Sequence, residues 1–426
     1  MEDLPNGVAE SLKFERRNWA QGSVLDDQFY EAPPETSESP LGTILKIEKD
    51  TDTTKYLLPP TTAFSRFLYQ SATLNGSKVP VSAYILWPYS PRTLPDGYPI
   101  VAWAHGTSGF DANAAPSHHK NLWQHFLAPH QIALHGYVVV ATDYAGLGVG
   151  RCSSGKPIIH EYMSSPSQAN DVIYSVRAAQ AAFPELSKRF VVIGHSQGGG
   201  AAWSVAQRAA THDIPGYIGA IAVSPYTSVL EEPDDFAKIL AAAMCPGLAS
   251  AIPEFKPGDL LTAKGERRLE MVHQTGAAIS SAVALLSGED ILKPNWRDNS
   301  HLREQLQRTG NGGKAIKGPL LITHGTSDPV LSVSVVEDAI RKTFERFPYT
   351  QSTIQYRSLP KVTHVAALAA SQRVWMDWIA DRFADYDVES KCNWSELAPA
   401  RPDSARQTDQ NWYLETATEP YHAPGP

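Results

Sequence analysis

The chain has 426 residues, 42% hydrophobic and 19% charged, a balance that supports a folded core and excludes a disordered or fibrous protein. Its formal net charge of -8 argues against a nucleic-acid partner, because phosphate binding needs a basic face. Its three cysteines, Cys152, Cys245 and Cys392, are too sparse and too odd in number for a disulfide framework, and they fit a reducing compartment.

In chain order, residues 1–60 are polar and broken by prolines, with an extended stretch at Glu31-Ala32-Pro33-Pro34-Glu35, and read as an N-terminal arm. The opening MEDLPNGVAESLKFERRNWAQ holds no apolar run suited to a signal peptide, and no segment approaches a membrane-spanning length. The closing YHAPGP matches no peroxisomal or ER-retention signal. Asn75-Gly76-Ser77 and Asn393-Trp394-Ser395 match the glycosylation sequon, which matters only in a secreted chain. The expectation is a cytoplasmic protein with no transmembrane segment.

Phe64–Thr73 and Val79–Trp87 read as two strands of a hairpin turning at Asn75-Gly76. Short apolar runs follow at Pro99–Ala104, Tyr137–Thr142, Phe190–Gly194, Tyr217–Val223, Leu320–Thr323 and Thr353–Leu359. Helical patterns lie between or after them at Ser167–Ala182, Gly199–Ala210 and Gln372–Phe383. Buried strands alternating with helices predict a mostly parallel central sheet covered on both faces. Roughly ninety residues separate Val223 from Leu320, far more than an ordinary connection. Helical patterns at Asp235–Met244 and Thr275–Leu286 predict that this insertion forms a lid. The predicted organisation is an arm (1–60), a first core segment (61–226), a lid (227–316), a second core segment (317–391) and a C-terminal tail (392–426).

Gly194-His195-Ser196-Gln197-Gly198 is the most informative stretch. It follows a β-branched strand and precedes an Ala-rich helix, the context in which Gly-x-Ser-x-Gly forms a strained strand-to-helix turn. Side chains at Gly194 or Gly198 would collide with neighbouring backbone. Ser196 is therefore the expected nucleophile of an α/β-hydrolase fold. A serine hydroxyl needs a base, and the base needs an orienting carboxylate, in the chain order Ser, acid, His. Asp328 stands just past the strand in Leu320-Leu321-Ile322-Thr323-His324-Gly325-Thr326-Ser327-Asp328, and Glu337 and Asp338 fall in the following helix. His364 is the histidine between the last strand and the final helix.

An oxyanion hole requires donors aimed at charge that appears only in the transition state. The backbone N–H of Gln197 is one expected donor, and Thr107, in His105-Gly106-Thr107-Ser108-Gly109, is the other. His105 and His324 sit at strand ends and are expected to pack or hydrogen-bond beneath the site. Asp143 and Tyr144, at another strand end, either support the site or form a turn. His118, His119, His125, His130 and His135 resemble a metal cluster but lack ligand spacing, so solvated or packing roles are expected and no metal or cofactor is assigned. Cys152 is read as structural, with no histidine paired to it.

Three blocks carry a resemblance to the secretory-lipase-like family of α/β-hydrolases of fungi and bacteria. They are Val101-Ala102-Trp103-Ala104-His105-Gly106-Thr107-Ser108-Gly109, Thr142-Asp143-Tyr144-Ala145-Gly146-Leu147-Gly148, and Gly194-His195-Ser196-Gln197-Gly198-Gly199. His324-Gly325-Thr326-Ser327-Asp328 follows, so the resemblance covers roughly residues 95–370. It implies ester hydrolysis through an acyl-enzyme, with a helical lid over an acyl pocket. Where the family usually has Cys-Ala-Pro-Ser, this chain reads Ala114-Ala115-Pro116-Ser117, which by the resemblance removes a disulfide and leaves Cys245 without its partner.

The expected protein is thus a cofactor-independent serine hydrolase acting on a small-molecule or lipid-like carboxylic ester. An intracellular acyltransferase or thioesterase using the same three residues is the alternative if the lid excludes water. A non-catalytic binding protein of the same fold is the third reading.

Overall fold

A computed structural model describes residues 7–34, 38–124, 126–288, 290–388 and 394–407, without the side chains of residues 234 and 235. Glu35, His125, Cys392, Asn393 and the YHAPGP end lie outside the described residues. The strands are β1 (Ile44–Glu48), β2 (Ala63–Ala72), β3 (Lys78–Trp87), β4 (Tyr98–Ala104), β5 (Val138–Thr142), β6 (Leu186–His195), β7 (Tyr217–Val223), β8 (Leu320–Gly325), β9 (Ile354–Leu359) and β10 (Trp394–Glu396). The helices are α1 (Val8–Arg17), α2 (Pro129–Leu134), α3 (Ser165–Ala182), α4 (Gln197–Ala209), α5 (Asp234–Ala251), α6 (Ala263–Thr275), α7 (Ile279–Leu286), α8 (Ser300–Thr309), α9 (Val333–Arg346), α10 (Ala366–Ala370) and α11 (Gln372–Phe383).

One sheet runs in the order β1-β2-β3-β5-β4-β6-β7-β8-β9-β10. The β1/β2, β2/β3 and β3/β5 pairs are antiparallel, and every pair from β5 through β10 is parallel. The expected mostly parallel sheet is therefore present, with an antiparallel edge built by the hairpin. In its turn Gly76 takes φ 82°, while the Thr73 N–H donates to the Ser77 carbonyl at 2.9 Å.

The central strands are apolar on both faces because both are covered. Val101, Trp103, Val139, Ala141, Val191 and Ile193 pack with Ile132 of α2 and Trp375 and Ile379 of α11. Their alternate neighbours Ile100, Ala102, Val140 and Val192 pack with α3, α4 and Val336 and Ile340 of α9. A third cluster belongs to the segment between β7 and β8, where residues of α5, α6, α7 and α8 gather around Leu240, Leu248, Val272, Leu285 and Leu302.

Several elements differ from the sequence reading. The segment read as an arm contributes α1, whose Val8 and Leu12 pack into that third cluster, and β1, which lengthens the sheet. Glu15 of α1 accepts the N–H groups of Ala278 and Ser281 at 3.1 and 2.9 Å, capping α7 from a distance. The segment read as a tail contributes β10 beside β9. Within the insertion the pattern at Thr275–Leu286 is not one helix. Gly276, at φ 62°, ends α6, and α7 starts afresh at Ile279. No helix of the described residues is long and apolar enough to cross a membrane.

Candidate active site

Ser196 sits between β6 and α4 at φ 57°, ψ -117°, a backbone conformation that L-residues rarely adopt. The crowding explains the flanking glycines. A Cβ on Gly194 would lie 2.1 Å from the Gly198 carbonyl oxygen, and one on Gly198 would lie 1.9 Å from the Ala104 oxygen. The turn is held by the Ser196 N–H donating to Val223 O at 2.9 Å, and by Gly200 and Tyr226 N–H groups donating to Ser196 O at 3.0 Å each. Ser196 is 7% exposed, so most of the residue is buried.

Asp328 and His364 follow β8 and β9, at the same C-terminal ends of the parallel strands where Ser196 follows β6. His364 Nδ1 lies 2.6 Å from Asp328 Oδ2. The other carboxylate oxygen accepts the N–H groups of Val330 and Leu331 at 2.8 and 3.0 Å. His324 Nε2 faces Asp328 Oδ2 at 3.3 Å and the Leu331 carbonyl at 3.0 Å. Burial acts to raise the Asp328 pKa, but the hydrogen bonds from His324 and His364 outweigh it and hold the carboxyl well below the usual range. Asp328 is thus a fixed anion whose geometry is set by four donors.

His364 is anchored through its backbone as well as its ring. Its carbonyl accepts His195 Nε2 at 3.1 Å and the Ser224 hydroxyl at 3.3 Å, and the His195 and His364 rings pack with centroids 4.6 Å apart. Ser224 itself adopts φ 42°.

Gln197 opens α4, where the first N–H groups of a helix have no intrahelical acceptor. Its carboxamide Nε2 donates to His160 Nε2 at 3.0 Å, while His160 Nδ1 donates to the Ala145 carbonyl at 2.9 Å. Thr107 lies in the loop after β4, next to β6 in the sheet, and its hydroxyl is 3.0 Å from the Tyr162 hydroxyl. His105 and Tyr144 stack beneath this loop at 4.3 Å, with the Tyr144 hydroxyl donating to the His105 carbonyl at 3.0 Å. Asp143 accepts the Ser117 N–H and the hydroxyls of Ser117 and Ser82, and burial pushes its carboxyl up to about 6. Tyr144 therefore supports the loop after β4, while the Asp143 side chain ties Ser117 to Ser82 of β3.

His118, His119 and His130 are buried and His135 is exposed, and no metal-binding group of three or more His, Cys, Asp or Glu occurs among the described residues. Cys245 is a free, buried thiol in α5, and Cys152 is half-buried and free. Sequence reasoning missed Gln124, His160, Tyr162 and Glu232. Each acts through a contact distant in sequence, and none belongs to a short motif. Glu232 accepts the Ser332 N–H at 2.7 Å, tying the start of the insertion to the loop after Asp328.

A cavity of about 1460 Å³ lies between the N-terminal segment, the 146–162 loop and helices α5 and α6. Phe110, His160 and Tyr162 are among its walls. It is thus one residue removed from both Gln197 and Thr107 through the His160 and Tyr162 contacts.

The closed state of lipase A from Candida antarctica superposes with a TM-score of 0.73 at 18% identity, covering 89% of this chain and 91% of that one. The rice cell wall degrading esterase LipA from Xanthomonas oryzae gives 0.61 at 17% identity, covering 81% and 98%. A putative hydrolase from Legionella pneumophila gives 0.62 at 15%, covering 80% and 98%. These similarities establish a shared fold. No curated protein matches the chain. The family model described as "Serine aminopeptidase, S33" matches residues 118–364, from the buried histidine pair to His364. The chain belongs to that hydrolase family and is lipase-like in its α/β-hydrolase fold.

Proposed function

We propose that this protein hydrolyses carboxylic esters through an acyl-enzyme, with Ser196 as nucleophile, His364 as general base and acid, and Asp328 orienting the imidazole. The observation that carries the reading is the 2.6 Å contact between His364 Nδ1 and Asp328 beside the strained turn of Ser196. Asp328 fixes the tautomer, so that Nε2 is left to take the Ser196 proton and return it to the leaving alkoxide. The backbone N–H groups of Gln197 and Thr107 would receive the charge that forms on the carbonyl oxygen. Water then attacks the acyl-enzyme by the same proton relay in reverse.

The cavity behind His160 and Tyr162 supports a substrate with a bulky apolar part, and α5–α8 are suited to act as its lid. The chemistry admits amides by the same route, so the substrate class is decided by turnover. A panel of p-nitrophenyl esters from short to long chain, run beside aminoacyl p-nitroanilides, tests the reading. Hydrolysis of the esters and its loss in Ser196→Ala support it; turnover of the anilides alone overturns the ester assignment.

A further inference from the structure

Leu122, Trp123 and Gln124 have φ of 51°, 45° and 51°, three consecutive non-glycine residues in the left-handed region. L-residues visit this region singly, and a run of them persists only where surrounding contacts enforce it. Leu122 is fully buried, and Asn121 Oδ1 accepts the Trp123 N–H at 3.1 Å and Asn18 Nδ2 at 2.8 Å.

The strained turn places two side chains on Gly106, the residue before Thr107. Gln124 Oε1 accepts the Gly106 N–H at 2.8 Å. That contact fixes which end of the carboxamide is oxygen, so Gln124 Nε2 is the donor facing His195 Nδ1 at 2.9 Å. His195 Nδ1 is then a lone pair and its proton sits on Nε2, where it donates to the His364 carbonyl at 3.1 Å. Trp123 Nε1 donates to the Gly106 carbonyl at 3.0 Å, and His105 Nδ1 reaches the same oxygen at 2.7 Å. The Gly106 carbonyl and the Thr107 N–H share one planar trans peptide, so pinning the oxygen directs that N–H to the opposite side.

We propose that the left-handed turn Leu122–Gln124 is a positioning clamp that couples the Thr107 oxyanion donor to the general base His364 through Gln124 and His195. This inference rests on the acyl-enzyme reading of the site. Gln124 and His195 touch no reacting atom in it; they set the register of groups that do. The neutrality of His195 is part of the device, since burial lowers its pKa to about 3, and His364, Asp328 and His324 are the titratable groups around it.

Two variants test the clamp. Gln124→Leu removes both hydrogen bonds, and fluorophosphonate labelling of Ser196 and kcat are expected to fall about 10- to 100-fold with KM little changed, the scale of a misplaced donor. Gln124→Glu is isosteric and remains available should the leucine variant fail to fold. The introduced carboxylate still accepts the Gly106 N–H but can meet His195 Nδ1 only through an added, shared proton. Its rate should therefore approach wild type where that proton is held and fall about tenfold as it leaves at higher pH, a limb absent from the wild-type profile. A merely structural role adds no titration. Gln124→Leu labelling at the wild-type rate, or a Gln124→Glu profile superimposable on wild type, overturns the clamp. Failure of the acyl-enzyme reading is recognised separately, because wild-type Ser196 would then not be labelled. The ¹⁵N shifts of His195, with Nδ1 bare and Nε2 protonated, would still report the hydrogen-bond chain.

Discussion

His364 Nδ1 lies 2.6 Å from Asp328 Oδ2, and the Asp328 side chain is 0% exposed. The carboxylate is therefore an acceptor in a dry setting, and its charge selects the tautomer that leaves His364 Nε2 free. Replacing it by a group of the same shape that can donate reverses that selection. Asp328→Asn is expected to fold and to lose about 10³- to 10⁴-fold in kcat, measured on an activated ester. A loss below tenfold would show that Asp328 does not orient the base.

The glycines around Ser196 are predicted to differ sharply from those in open loops. A Cβ on Gly198 would lie 1.9 Å from the Ala104 oxygen, which cannot move without dislocating β4. Gly198→Ala should cost about 3 kcal/mol or more, at or beyond the upper end of ordinary overpacking. Gly155, at φ +81° with nothing within 4 Å, meets no such obstacle. Gly155→Ala should cost about 1 kcal/mol, the conformational penalty alone. Thermal unfolding of the two variants measures the difference.

Arg66 joins the N-terminal segment to the sheet. Its guanidinium is 2.8 Å from both Asp27 and Glu48 and lies 4.2 Å over the Phe29 ring, with the Arg66 side chain 4% exposed. Arg66→Ala strands the buried Asp27 carboxylate and should destabilise by about 3–5 kcal/mol. Limited proteolysis is expected to cut first within residues 7–34. Unchanged melting and protection would contradict this role.

Stability should peak near neutrality for an identifiable reason. Burial lowers His105, His118 and His195 to about 3, and His119, His130 and His160 to about 4. A histidine depressed in the fold stabilises it above the unfolded value of about 6.5, and that stability is lost as pH falls toward the folded value. Burial also raises Asp111 and Asp171 to about 7, Asp143 to about 6 and Glu232 to about 8. Their stabilisation is complete below the unfolded value of about 4 and is lost as pH rises through the folded values. The opposing slopes cancel near about pH 6.5, where the melting temperature should be highest. Asp328, depressed in the fold, keeps its contribution throughout this range and loses it only as pH falls through its low folded value. A flat melting temperature from about pH 5 to 8 would contradict this balance.

Most of the sheet and the placement of Ser196, Asp328 and His364 were legible in the sequence because their signals are local. β-branched runs mark buried strands, and Gly194 and Gly198 mark a crowded turn at a fixed spacing. What escaped was set by distant partners. β1 and β10 are edge strands of mixed polarity, ordered by β2 and β9 rather than by their own pattern. α6 and α8 are polar on their outer faces, and their apolar residues become meaningful only in the insertion's own core. Gln124 could not be anticipated, because its position depends on a left-handed turn that no glycine announces.

In the proposed reaction Ser196 is a nucleophile activated by His364 and Asp328. Incubation with a fluorophosphonate, followed by peptide mapping, tests it most directly. Stoichiometric modification of Ser196 in the wild type, absent in Ser196→Ala and slowed at least about a hundredfold in His364→Ala, is the predicted result. A wild-type protein that folds yet stays unmodified at Ser196 would contradict it.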